Sequence, residues 1–537
     1  MPANEVYTVF VFFALQACRL SFTLARMRKQ VAGFLLMLAS RTLAASDPAP
    51  RWLEIHSAHF DVITDSTEKQ ARHVAGQLEQ MRTVFRTVLL HPVSDGPPII
   101  VLALKDRKDF QAFEPSAYLA KDQLDLSGLF LRAPDKNYIL LRLDADSDHP
   151  FANVYHEYTH FILSRSEWLP LWLNEGLAEF YQNTRIEQKY ADLGLASPDD
   201  ILLLRQASLL PLSTLLTVDH SSPYYHDEQK GTIFYSESWA LTHFLILNDR
   251  ENHTDRIHDY TVALSHNEDP VTAAQHAFGD LKVLQKQLVD YIHKGSFSNF
   301  RINVAATVDE SALHAVRLPT PDADAVRADV LVYDGRTKDA QALLETVLRE
   351  DPKSALAHET MGYLKFCEGD VESARKWYTE AVQLDSHSYL AHYYFAAMSL
   401  QAGTPTPPEE IEASLLASIR LNPDFAPSHD TLAQFYGLHE EKLEEAHRLS
   451  VRAMQLEPEN LTYRLSAAQI LLEEQQFPAA IDILKNAEKL AKNPTELNTV
   501  QHRIAQLAVY QADYVQYQEA QARAHKAAAA ETASPPK

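Results

Sequence analysis

His156-Glu157-Tyr158-Thr159-His160, followed by Asn174-Glu175-Gly176-Leu177-Ala178-Glu179, is the stretch on which the reading of this 537-residue chain turns. Four residues apart on a helix, His156 and His160 project from one face and can grip one metal ion. Neutral imidazole nitrogens suit zinc, and a hydrolytic zinc centre takes three protein ligands with a fourth position left for water. Glu175 supplies the third ligand. The sequence therefore predicts a Zn2+ site made of His156, His160 and Glu175.

The surroundings predict a helix at each motif. Val154, Tyr158, Phe161 and Ile162 give residues 151–163 an apolar face at helical spacing, with no internal Gly or Pro. Pro170 interrupts the pattern, and residues 171–181 read as a second helix on which Glu175 and Glu179 share a face. Glu157 directly follows a ligand. Its carboxylate can accept a proton from a metal-bound water and pass it to a leaving amine. Negative charge developing on a substrate oxygen needs a donor besides the metal. Tyr235, in Phe234-Tyr-Ser-Glu-Ser-Trp239, is the first candidate, and His226, in Ser222-Pro-Tyr-Tyr-His226, is the second. Glu179 is expected to accept an N–H from a ligand histidine and fix its ring.

Through His156-Glu-Tyr-Thr-His160 and Trp172-Leu-Asn-Glu-Gly-Leu-Ala-Glu-Phe180, residues 51–300 resemble the gluzincin metallopeptidases, the clan of thermolysin and aminopeptidase N. The likeness is greatest to bacterial peptidase-MA-like proteins, which are often joined to tetratricopeptide repeats. The resemblance implies an α+β zinc domain that hydrolyses peptide bonds. It implies His156, His160 and Glu175 as ligands, Glu157 as general base and Glu179 as a supporting acid. Members often carry a segment similar to Tyr235–Trp239, opening a helix beside the site. The resemblance also makes residues 137–143 the sheet edge along which an extended peptide lies. Two departures stand out. The interval of 14 residues between His160 and Glu175 is shorter than in thermolysin or aminopeptidase N, so substrate preference is not carried over. The Gly-x-Met-x-Asn motif that recognises a free amino terminus is absent, which leaves exopeptidase action without support.

Composition sets bounds on partners and compartment. A net charge of −23, with no basic stripe to meet phosphates, excludes nucleic acid as a partner. Residues 1–45 read as a targeting segment. Met27-Arg-Lys precedes a short apolar core and ends in small residues, with cleavage expected after Ala44 or Ala45 and translation starting at Met27. This predicts export, to the periplasm or outside the cell. Neither that core nor the apolar run Val6–Leu15 reaches the length of about 20 residues that a spanning helix needs. Cys18 and Cys367 are the two cysteines, so removal of the leader leaves one thiol and no intrachain disulfide.

Strands are predicted within 52–64, 98–104 and 137–143, a helix over 67–90, and mostly helix over 185–295. Residues 301–320 read as a linker. Beyond it the period changes. Ala340 to Ala374 and Ala446 to Ala480 are both steps of 34, and Asp351-Pro352, Asn422-Pro423 and Glu457-Pro458 close successive units. Small residues at helix crossings with proline after the second helix are the tetratricopeptide signature. Residues 321–525 are thus predicted to form an all-α solenoid of five repeats (321–354, 355–388, 389–424, 425–459, 460–494) with a capping helix, and 526–537 a disordered tail.

The leading expectation is an exported zinc metallopeptidase whose repeats recruit a peptide substrate or a protein partner. The alternative is an inactive gluzincin-fold scaffold in which the repeats do the work. Retention of Glu157 beside all three ligands favours the first, because a scaffold has no use for it. Zinc-dependent hydrolysis of another bond is a third possibility, since the site does not itself choose an amide.

Overall fold

The computed structural model describes residues 52–88, 99–113, 128–133, 135–144, 150–163, 169–187, 189–226, 228–304, 308–402 and 406–532. The predicted targeting segment at 1–45 lies outside them. No described helix is long and apolar enough to cross a membrane. The contacts divide the chain into two units between Leu343 and Leu344.

The first unit is built on a six-stranded sheet. Its strands are β1 (Leu53–His56), β2 (Phe60–Thr64), β3 (Ile99–Leu104), β4 (Gly128–Arg132), β5 (Asn137–Arg142) and β9 (Ala315–Arg317), in the order β4-β5-β3-β2-β1-β9. The central strands β2, β3 and β5 are parallel, and the outer pairings are antiparallel. The single strand expected within 52–64 is instead a hairpin. Its turn is pinned by Glu79, whose Oε1 accepts from Ser57 Oγ (2.7 Å) and His59 N (2.8 Å). Glu79 comes from α1 (Glu68–Val88), whose Ala71, Val74, Leu78, Met81 and Phe85 bury one face against the sheet.

One expectation about the sheet is corrected. Residues 137–142 are not the edge: β5 lies between β3 and β4, and the edge on that side is β4. The physical sign was in the sequence. Tyr138-Ile-Leu-Leu141 is a continuous apolar run buried on both faces, which is the pattern of an interior strand. After the short α2 (Arg107–Gln111), helix α3 (Ala152–Leu163) lies directly on β4, since a Cβ added at Gly128 would stand 2.7 Å from Val154 Cγ2.

The stretch between 171 and 304 forms a second layer. It comprises α4 (Leu171–Gln182), β6 (Arg185–Ile186), β7 (Tyr190–Leu193), α5 (Pro198–Gln206), α6 (Leu212–Leu215), α7 (Pro223–His226), α8 (Glu228–Asn252), α9 (Arg256–Ser265), α10 (Pro270–Phe278), α11 (Leu281–Ile292) and β8 (Phe300–Asn303). Trp172, Leu173, Phe234, Trp239, Leu241 and Tyr260 fill its core. The expected linker at 301–320 is corrected as well. It contributes β8, paired with β7 in a second sheet, and β9, paired with β1. Long-range pairing is invisible to local pattern, which is why these short strands read as linker. Helix α12 (Thr320–Tyr333) is held to the sheet by Asp329. Its carboxylate accepts from the Tyr138 hydroxyl and lies 3.0 Å from Lys136 Nζ.

The second unit is helical throughout its described residues. Helix α13 (Thr337–Glu350) spans the division. Then come the pairs α14 (Ala355–Glu368) with α15 (Val371–Gln383), α16 (Tyr389–Gln401) with α17 (Pro408–Leu421), α18 (Ala426–Leu438) with α19 (Leu443–Leu456), and α20 (Leu461–Glu473) with α21 (Phe477–Ala487). Ser354, Asp370, Ser388 and Asn460 cap helix starts through their side chains. Ala340, Ala374, Ala446 and Ala480 are each fully buried, as helix crossings of a tetratricopeptide-like repeat require. The closing helix α22 (Pro494–Thr532) runs on into the segment expected to be disordered, because Ala527–Ala530 are strong helix formers.

Candidate metal centre

Helix periodicity brings the two motifs together. His156 and His160 stand one turn apart on α3, and Glu175 stands in the second turn of α4, which packs against it. The Nε2 atoms of the histidines are 3.1 Å apart. Glu175 Oε2 lies 3.2 Å from His160 Nε2 and 3.7 Å from His156 Nε2. A tetrahedral ion with bonds of about 2.0–2.1 Å needs donor separations of about 3.3–3.4 Å. The three measured edges bracket that value, so this donor set fits zinc in kind and in spacing. Among the described residues it is also the one group of three or more metal-competent side chains drawn together in this way.

Neighbours fix the rings. Asn174 Oδ1 accepts from His160 Nδ1, which leaves the Nε2 lone pair toward the centre. Glu179 Oε1 is 3.5 Å from His156 Nδ1, and its other oxygen accepts from Gln182 Nε2. Glu157 is half-buried, and its charge acts on both His156 and Tyr225.

The electrostatics favour a cation. Burial works against charge on His156, but Glu175, Glu179 and Glu157 outweigh it and raise its pKa. Burial opposes the charge of Glu175 too, yet the two histidines beside it hold its carboxyl well below the usual range. Burial pushes Glu179 up to about 7 despite His156, helped by Asp200 on α5 and by Glu175. Asp200 is itself held by Ser236 Oγ at 2.6 Å.

Tyr235, on α8, is linked to the ligands through Tyr225. Its hydroxyl is hydrogen-bonded to Tyr225, and the Tyr225 hydroxyl donates to Glu175 Oε1 at 3.4 Å. Burial raises the pKa of Tyr235, and Glu175 adds to it. His226 closes α7, but its side chain lies outside the described set. Sequence reasoning missed Asn174, Tyr225 and Asp200. Asn174 was legible, since it precedes Glu175 on a helix facing α3. Tyr225 sits on a four-residue helix with no periodicity to expose it.

Gly176 explains the closeness of the layers. A Cβ there would stand 2.1 Å from Thr242 Oγ1 and 2.5 Å from the Ser238 carbonyl oxygen, so α4 crosses α8 with no room for a side chain.

Comparison with known proteins places this site inside one family match. Residues 151–264 are similar to the family described as "Protein of unknown function (DUF1570)", a span that holds every candidate site residue. No curated protein matches. Among solved structures, the chain is similar to YrrB, described as a TPR protein with an unusual peptide-binding site, at 14% identity over 33% of this chain and 90% of that one, with a TM-score of 0.30. It is similar to a thermophilic TPR protein of Thermus thermophilus at 21% identity (35% and 98%, TM-score 0.25). It is also similar to pilF of Pseudomonas aeruginosa at 20% identity (38% and 97%, TM-score 0.28). The chain carries an α+β domain with a three-donor centre and, in its C-terminal part, successive helix pairs with buried alanines at their crossings.

Proposed function

We propose that this protein is an exported zinc-dependent metallopeptidase of gluzincin type, whose repeats recruit its peptide substrate or a protein partner. The observation that carries the reading is the triangle of His156 Nε2, His160 Nε2 and Glu175 Oε2, with edges of 3.1, 3.2 and 3.7 Å, with Glu157 directly following a ligand on the same helix. His156, His160 and Glu175 would hold the ion. Bound zinc would supply Lewis acidity and a water acidified toward neutrality.

The remaining work falls to the chain. Asn174 and Glu179 orient the two rings. Glu157 accepts the proton of the attacking water and returns it to the leaving nitrogen. Tyr235 donates to negative charge developing on the substrate oxygen. The α-helical repeats supply the surface on which an extended segment is gathered.

Replacing Glu157 by Gln tests the catalytic half of this reading. The substrate is tested as a mixture of unstructured peptides, with new termini read by mass spectrometry. The parent should cut, and Glu157→Gln should lose more than about 100-fold in rate while keeping its zinc. Equal cleavage by parent and variant would refute the role of Glu157.

A further inference from the structure

Glu175 has two carboxylate oxygens in different surroundings. Oε2 faces the histidines, at 3.2 and 3.7 Å. Oε1 accepts from the Tyr225 hydroxyl at 3.4 Å. That hydroxyl is also hydrogen-bonded to Tyr235. The Tyr225 ring is half-buried. It meets His220 edge-on at 5.3 Å, Phe234 edge-on at 6.2 Å and Tyr235 at 6.0 Å. These neighbours come from the turn before α7 and from α8, so the ring is wedged between two separate segments.

A carboxylate can bind a metal through one oxygen or through both. A donor seated on Oε1 takes up one of that oxygen's lone pairs and fixes the rotation that aims Oε2 at the histidines. We propose that Tyr225 is the positioning residue of the third ligand: its hydroxyl holds Glu175 Oε1 so that Oε2 alone faces His156 and His160, with Tyr235 packed behind it. The inference rests on the zinc reading above. It makes the grip on the metal depend on Pro223–His226, a segment outside both motifs.

The test uses the full chain, with Tyr225→Phe and Tyr235→Phe beside the parent. Zinc dissociation constants are measured by competition with a chromophoric chelator. Cobalt(II) absorption spectra report the coordination itself, and near-UV circular dichroism checks the fold. Phenylalanine keeps the ring contacts and removes only the hydroxyl. Tyr225→Phe should weaken zinc binding about 10-fold or more and change the cobalt spectrum, as loss of a ligand's supporting hydrogen bond does. Tyr235→Phe should weaken it less and keep the parent spectrum. Parent affinity and spectrum in folded Tyr225→Phe would overturn the inference and leave the zinc site standing. So would a greater loss from Tyr235→Phe than from Tyr225→Phe. A folded parent that binds no zinc would instead overturn the site reading on which the inference rests.

Discussion

Replacing Gly176 by Ala probes the contact that brings the second motif up to the first. Its Cβ would stand 2.5 Å from the Ser238 carbonyl oxygen, and that atom belongs to the backbone of α8. Thr242 Oγ1, at 2.1 Å, can rotate aside, but the carbonyl cannot. Restoring ordinary contact requires α4 and α8 to part by roughly 0.8 Å, against interior packing that has little give. Overpacking of this kind costs about 1–3 kcal/mol, and a backbone clash belongs at the upper end. Alanine returns about 1 kcal/mol through its helix propensity. The net expectation is a loss of about 2 kcal/mol, a fall of roughly 5 °C in melting temperature. Thermal unfolding followed by circular dichroism, beside Gly295→Ala as the control with nothing within 4 Å of the added Cβ, measures it. Glu175 is the preceding residue, so zinc affinity should fall with the same substitution. A Gly176→Ala protein as stable as the parent, with unchanged affinity, would refute the close crossing and the account of how Glu175 is placed.

Other outcomes follow from the same geometry. Asn174→Ala removes the acceptor of His160 Nδ1 and should weaken zinc binding about 10–100-fold with the fold intact, read by chelator competition. His243 gives a pH dependence. It is buried, donates from Nε2 to the Gly194 carbonyl at 2.8 Å and accepts at Nδ1 from the Tyr291 hydroxyl at 2.6 Å. Burial, opposed by the Gly194 bond, lowers its pKa from 6.5 to about 4. The folded state therefore prefers the neutral ring. Its stabilisation is fully present above pH 6.5 and is lost as pH falls toward 4, by about 3 kcal/mol in all. Urea midpoints between pH 4 and 8 should show this slope, and His243→Gln should flatten it; an equal slope in both would assign the acid lability elsewhere.

The parts of the fold written in local periodicity were legible, and those made by long-range pairing were not. His156 and His160 at a four-residue interval, with Val154, Tyr158 and Ile162 buried behind them, declared both a helix and its functional face. Fully buried alanines 34 residues apart declared the repeats. The turn between β1 and β2 escaped because it depends on Glu79, some 20 residues away, not on a turn-forming dipeptide. The edge position of β4 and the strands at 300–303 and 315–317 escaped because each is defined by its partner. Tyr225 was passed over in favour of its neighbour His226. A tyrosine on a four-residue helix carries no sign of pointing at a ligand until α8 is folded against α4.

The central claim is that His156, His160 and Glu175 hold one zinc ion. Zinc per chain, measured in the purified full-length protein and in His156→Ala under the same metal-replete conditions, tests it without any knowledge of substrate. The account predicts about one zinc per parent chain and loss of that zinc in a folded variant. A folded parent without zinc, or a His156→Ala protein that retains it, would contradict the account.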